Sequence, residues 1–278
     1  MKLQFTLLCI ALCAVGQAEA HYPYVAPLNY QTFNNHSAIL SGFYDNPFVS
    51  EIAIKNFNFH VHTPSGEKLH LTDADWAKTQ TVSSYSLENK QDGTYRIRGE
   101  KQGSTARFAY DQKQWKALIN GVRDPQKTAN ANVIYTAELT QKSQIKSIQT
   151  QEIIETFVSR RVTSTNVVNH LHDGFDVQFR THPNAIMQNE PVQLKVLDQK
   201  KAVPGLQVEI LQQTTDYSRE GKVYKTLKTD QDGNLNFNLS DRGQYLLKMD
   251  YQQPFEMKEH ALKRYKYTLS FNVCLVLK

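Results

Sequence analysis

Val192-Gln-Leu-Lys-Val196 and, after the turn Val203-Pro204-Gly205, Leu206-Gln-Val-Glu-Ile210 alternate apolar with polar residues, and this alternation decides the fold. Successive side chains of a strand point to opposite faces, so each stretch has one face for a core and one for water. The pattern continues outward from this pair. Phe175-Asp-Val-Gln-Phe179 precedes it, and Val223–Leu227, Asn234–Leu239, Gly243–Met249 and Tyr265–Leu277 follow. Seven short strands, roughly 8 to 15 residues apart and divided by turn residues, predict an immunoglobulin-like or prealbumin-like β-sandwich over residues 173–278.

Upstream the strand signals are less regular but still dominant. They fall at Ser37–Tyr44, Ile52–His62, Thr94–Arg98, Thr105–Tyr110, Asn132–Leu139 and Glu155–Val168. The one helix candidate is Thr72–Lys78, where Asp73 and Asp75 would favour a helix N-terminus. The expectation is an all-β chain of two β-sandwich domains, 21–172 and 173–278, joined at His172-Asp173-Gly174.

Composition narrows the class. Of 278 residues, 40% are hydrophobic and 21% charged, enough to build cores and too apolar for wholesale disorder. Twelve glycines and nine prolines exclude collagen-like and low-complexity architectures. Thirty-two Lys and Arg against 27 Asp and Glu give a net charge of +5, too thin and scattered to imply a nucleic-acid partner.

Residues 1–20 read as a cleaved signal peptide: Lys2, an apolar run from Leu3 to Val15, then the small-x-small pattern Ala18-Glu-Ala20. The apolar run is shorter than the roughly 20 residues of a membrane span, and no second run follows, so no transmembrane segment is expected in the mature chain. The expected location is periplasmic or secreted. Cys9 and Cys13 leave with the signal, and Cys274 remains as a small hydrophobe of a terminal strand. Cleavage after Ala20 makes His21 the first residue. Its free α-amine and imidazole then form a bidentate nitrogen chelate suited to Cu(II) or Ni(II).

The most specific internal constellation is Phe57-Asn-Phe-His-Val-His62. Phe57, Phe59 and Val61 point to a core, which leaves His60 and His62 on the other face, about 6.6 Å apart at Cα. Two imidazoles at that spacing can converge on one ion, or can merely be the polar side of a surface strand. With His21 they offer four nitrogen donors, which suit Ni(II) or Cu(II) better than tetrahedral zinc. His70 is a reserve ligand. His170-Leu-His172 repeats the spacing at the domain junction, as a second metal pair or as linker polarity. His182, before Pro183-Asn184, reads as turn chemistry, and His36 and His260 stand alone. Thr229-Asp-Gln-Asp-Gly-Asn234 resembles the start of a calcium loop, but Asp241 stands where the glutamate is needed and the flanks are strands, so it reads as a hairpin turn. No Gly-x-Ser-x-Gly, phosphate loop or His-Glu-x-x-His is present.

Several stretches together resemble a known family. They are Ala20-His21 with Tyr22-Pro-Tyr-Val-Ala-Pro27, His182-Pro-Asn184, Pro191–Leu197, Val203–Ile210, Lys228–Phe237 and Arg242-Gly-Gln-Tyr-Leu-Leu247. The chain is similar to DUF4198 proteins, periplasmic proteins related to components of nickel and cobalt uptake systems. The resemblance implies an exported, non-catalytic β protein that handles a transition metal beside a membrane transporter, with His21 carried over as ligand. Tyr22-Pro-Tyr24 departs from the aromatic pair that usually follows that histidine. The leading expectation is therefore an accessory protein binding nickel, cobalt or copper through His21, His60 and His62. Its rivals are a metal-independent immunoglobulin-like module for a protein or glycan, and a copper oxidase with an N-terminal histidine brace. Mass spectrometry of the exported chain is expected to show His21 as its first residue; any other start removes that ligand.

Overall fold

The computed structural model describes residues 22–126, 130–214 and 222–275. Strand accounts for 55% of the structure and helix for 2%, which makes the protein all-β. The strands up to the middle of the chain are β1 Tyr22–Pro27, β2 Gln31–Thr32, β3 His36–Tyr44, β4 Ile52–Ala53, β5 Asn58–His62 and β6 Lys68–Leu71. They continue with β7 Ala77–Lys78, β8 Ser83–Glu88, β9 Gly93–Asp111, β10 Gln114–Ile119, β11 Val133–Tyr135 and β12 Ile145–Arg160. The second half holds β13 Phe175–Phe179, β14 Val192–Asp198, β15 Lys201–Ala202 and β16 Gln207–Gln212. It ends with β17 Val223–Lys228, β18 Asn234–Phe237, β19 Gly243–Gln252 and β20 Ala261–Val273.

The later strands sort into two layers. β14 lies between β13 and β18 in one sheet, and β17, β16, β19 and β20 run in that order in the other. This three-plus-four distribution is the Greek key of an immunoglobulin-like sandwich. The Tyr245 hydroxyl, near the start of β19, donates to the Asp241 carbonyl at 2.6 Å, which is the tyrosine corner of such folds. The core between the layers includes Phe175, Val196, Val208, Leu247 and Leu269. Asp230-Gln-Asp-Gly233 is a turn, as expected, but it joins no hairpin. β17 pairs with β16 and β18 pairs with β14, so the chain crosses here from one sheet to the other. The Asp230 carboxylate accepts the backbone N–H groups of Asp232 and Asn234, at 2.9 and 2.7 Å. Gly233 has φ +74°, and a Cβ there would lie 2.8 Å from the Val196 carbonyl, so only glycine fits.

The earlier strands make a second sandwich. A sheet of β1, β3, β8 and β7, with β4 on β3, packs over β5, β9 and β12 around Val25, Ile39, Phe59, Trp76, Ile97 and Val158. The stretches read as separate strands at 94–98 and 105–110 are one 19-residue strand, β9. Gly99 does not interrupt it, because the Phe59 ring of the neighbouring strand lies 2.5 Å from where a Cβ would stand. The expected helix at 72–78 is one 3₁₀ turn, Asp73–Asp75. The Asp75 carboxylate accepts from the Thr72 N–H and hydroxyl at 2.6 and 2.7 Å, and the chain then leaves directly as β7.

The two sandwiches share one sheet. β12 pairs antiparallel with β9 on one side and parallel with β20 on the other, giving eleven continuous strands. Its side chains alternate between the cores: Ile153 and Phe157 enter the later one, Ile154 and Val158 the earlier one. Phe157→Ala is expected to cost about 3–5 kcal/mol and Ile154→Ala about 2–5 kcal/mol. Urea unfolding should show each loss in a single transition, since the strand belongs to both cores; two transitions of which only one moves would contradict a shared sheet.

Candidate metal centre

Register places the histidines. In the large sheet His60 stands opposite Arg98 on one side and His70 on the other, and His62 stands opposite Arg96 and Lys68. Arg98 in turn faces Glu155, and Arg96 faces Phe157. Residues paired across neighbouring strands share a face, so this is a polar row on the face opposite Phe59, Val61 and Ile97. That face is not a surface. The segment from Val167 to Asp176 lies over it, and His60 and His62 are only 8% and 7% exposed.

The covering segment brings His170 and His172. His60 Nε2 lies 3.5 Å from His172 Nε2. The rings of His62 and His172 stack at 5.4 Å and 11°, and those of His60 and His62 are 5.1 Å apart. One ligand nitrogen from each of His60, His62 and His172 lies within 4.8 Å of the other two. The two His-x-His pairs, read from sequence as separate sites, form one cluster.

A buried ionic network fixes the covering segment. Arg96 pairs with Glu155 and, at 2.8 Å, with Asp176, and it donates to the carbonyls of His170 and Val167. Arg98 bonds Glu100 at 2.6 Å, Asp176 at 3.2 Å and Glu155 at 3.4 Å. The Tyr267 hydroxyl donates to the other Glu155 oxygen at 2.6 Å. Asp176 Oδ2 accepts the His172 N–H at 2.7 Å and faces its Nδ1 at 3.0 Å. A proton on Nδ1 leaves Nε2 free toward His60, which is the carboxylate–imidazole arrangement that orients metal-binding histidines. Glu155, His172 and Asp176 also converge, but both acids are committed to arginine, so the imidazole triad is the better donor set.

The electrostatics favour neutral imidazoles. Burial, then Lys68 and the neighbouring rings, hold His60 down at about 2, and burial with His172, His170 and Arg96 holds His62 at about 4. Burial also lowers His170. Burial would raise Asp176 and Glu155, but Arg96 and Arg98 overcome it and keep both carboxyls below their usual range. His60 and His62 therefore carry lone pairs at neutral pH, as a metal requires.

Of the ligands expected from sequence, His60 and His62 are in the cluster. His21 lies outside the described residues. Its neighbour Tyr22 packs under Lys248, 3.4 Å from the ring centre, on the face of the large sheet away from the histidines. His70 is exposed beside His60. His182 serves the fold: its Nδ1 accepts the Asn184 N–H at 3.0 Å and its Nε2 meets the Ser164 carbonyl at 3.1 Å. Cys274 is half-buried, its sulfur near the Asn272 amide at 3.4 Å.

The family model described as a domain of unknown function, DUF4198, matches residues 18–253. The chain belongs to the DUF4198 family. No curated protein matches it. Among solved structures it has a likeness to Escherichia coli alpha-2-macroglobulin activated by porcine elastase, at 7% identity and TM-score 0.22, over 90% of this chain and 20% of that one. A DUF4785 family protein from Legionella pneumophila gives 9% identity and TM-score 0.24, over 84% and 52%. A marsupial T cell receptor gives 9% and 0.20, over 90% and 74%. This DUF4198 chain thus spans about a fifth and about half of the first two. Such distant likenesses add nothing to what its own sheets show. Among the described residues no helix is long and apolar enough to cross a membrane.

The depressed imidazoles have a consequence for stability. Unfolded histidine takes a proton near pH 6.5, whereas His62 and His60 in the folded chain refuse it until about pH 4 and about pH 2. Between those limits the unfolded state binds more protons, so stability is full above about pH 6.5 and falls as pH drops. Metal-free protein should lose about 2–4 kcal/mol between pH 6.5 and 4.5, followed by urea unfolding. His62→Gln should flatten that slope; a slope already flat in the unmodified chain contradicts a neutral buried cluster.

Proposed function

We propose that the protein is an exported, non-catalytic carrier of a divalent transition metal, serving nickel, cobalt or copper acquisition beside a membrane transporter. The convergence of His60, His62 and His172, with His172 oriented by Asp176, carries this reading. Three imidazoles and no thiolate suit borderline ions, zinc among them. The choice of nickel and cobalt rests on what the resemblance of the sequence implies, and the signal-like residues 1–20 support export. The carboxylates beside the cluster, Glu155 and Asp176, are held by arginines and so are not free to act as a general base on an ion there. His21 adds an independent amine chelate if it opens the mature chain.

Calorimetry on the tag-free, metal-free protein with Ni(II), Co(II), Cu(II) and Zn(II) tests the reading. One ion per chain is expected. Asp176→Asn should weaken binding by roughly 10–100-fold, as loss of an orienting carboxylate does, and the double variant His60→Ala/His62→Ala should weaken it further. Absence of stoichiometric binding, or binding indifferent to the double variant, overturns the proposal in favour of a metal-independent binding module.

A further inference from the structure

His170 is held in a way none of the other three histidines is. Its carbonyl is anchored by Arg96, so its backbone position is fixed. Its side chain is exposed, against the ring of the buried His62. The ring centre lies 5.1 Å from that of His62 and 5.2 Å from that of His172, and its plane is nearly perpendicular to both, at 83° and 87°. Its nitrogens do not belong to the converged triad. On a backbone anchored in this way, the two side-chain torsions are what remain to re-aim the ring.

The other candidates for a fourth ligand are spoken for. Asp176 Oδ2 holds His172, and Oδ1 is taken by Arg96, Arg98 and the Val177 N–H. Glu155 is shared among Arg96, Arg98 and Tyr267. His70 is next to His60 in register, but the ring contacts of the cluster among the described residues are made by His60, His62, His170 and His172.

Resting on the metal reading above, we infer that His170 is the exchangeable fourth ligand: it swings in to close a four-imidazole shell over a divalent borderline ion, and swings out to let the ion leave. Such a shell contributes no negative charge, so the ion is held by lone pairs alone. That favours release over permanent retention. It also leaves no water on the ion to be activated, which separates a carrier from a hydrolase, whose metal keeps a position open.

Cobalt(II) reads both halves of the inference on the tag-free full chain. The visible spectrum reports the donor set, and transfer to EDTA reports release. His170→Ala is expected to bind Co(II) still, with the spectrum of a site that has a water-filled position and with release faster by roughly 10-fold or more. Added imidazole should restore the unmodified spectrum, a rescue that a merely structural role would not give. His70→Ala should change neither readout. A His170→Ala protein with unaltered spectrum and release rate overturns the inference while leaving the metal reading standing. If the unmodified chain takes up no Co(II), or its uptake survives loss of His60 and His62 unchanged, the metal reading itself falls, and this inference with it.

Discussion

The fork of Arg96 between Glu155 and Asp176 is the interaction on which the rest depends. Its guanidinium joins three parts of the chain: β9, the shared strand β12, and the start of β13 with the segment before it. Buried pairs of this kind recover little net stability, because removing two charges from water costs several kcal/mol per ion. Apolar residues of the same volume would hold the sandwiches together equally well. What they would not do is fix the carbonyls of Val167 and His170 and the carboxylate behind His172. The network supplies position more than adhesion, and what it positions is the imidazole cluster.

The same network explains how four histidines can sit beside two permanently charged arginines. Arg96 and Arg98 are matched locally by Glu155, Asp176 and Glu100, so the row across the sheet is close to neutral before any ion arrives. Lys68 and Arg98 act on His60, and Arg96 and Lys68 on His62, in the direction of keeping them unprotonated. A cation must then be held by lone pairs alone, which sets the proposed centre apart from sites that draw metal with carboxylate or thiolate charge.

Much of this was legible in the residues. Alternation gave the strands on both sides of residue 173, and Phe57, Phe59 and Val61 enter the core that their spacing assigned to them. The Arg242–Leu247 stretch carried the tyrosine corner. Alternation does not show what covers a strand's polar face, so His60 and His62 read as surface-facing when they are buried. The clue was the same spacing on three segments, His60-x-His62, Arg96-x-Arg98 and His170-x-His172, of which the first two lie in strands and place two charged or titratable groups on one face. Arginines flanking Ile97, which is itself buried, mark a strand covered on both sides. Pairing between residues 112 positions apart, such as His60 and His172, has no local signature. Likewise, the crossing turn after β17 has the residues of a hairpin, and only sheet membership tells them apart.

The parallel ladder between β12 and β20 also governs how the chain reaches this state. Ser147 must find Ala261 and Glu155 must find Leu269, across more than a hundred intervening residues. Contacts so distant in sequence make folding slow, since loop closure precedes any reward from the new strand pair. Until β20 arrives, β12 presents a long unpaired edge, an aggregation hazard in any partly folded chain. The Tyr267 hydroxyl that caps Glu155 comes on that same late strand. The Glu155 carboxylate that holds Arg96 is therefore fully partnered only once the ladder between β12 and β20 has formed, so the scaffold that aims the ligands depends on the most distant strand pairing described above.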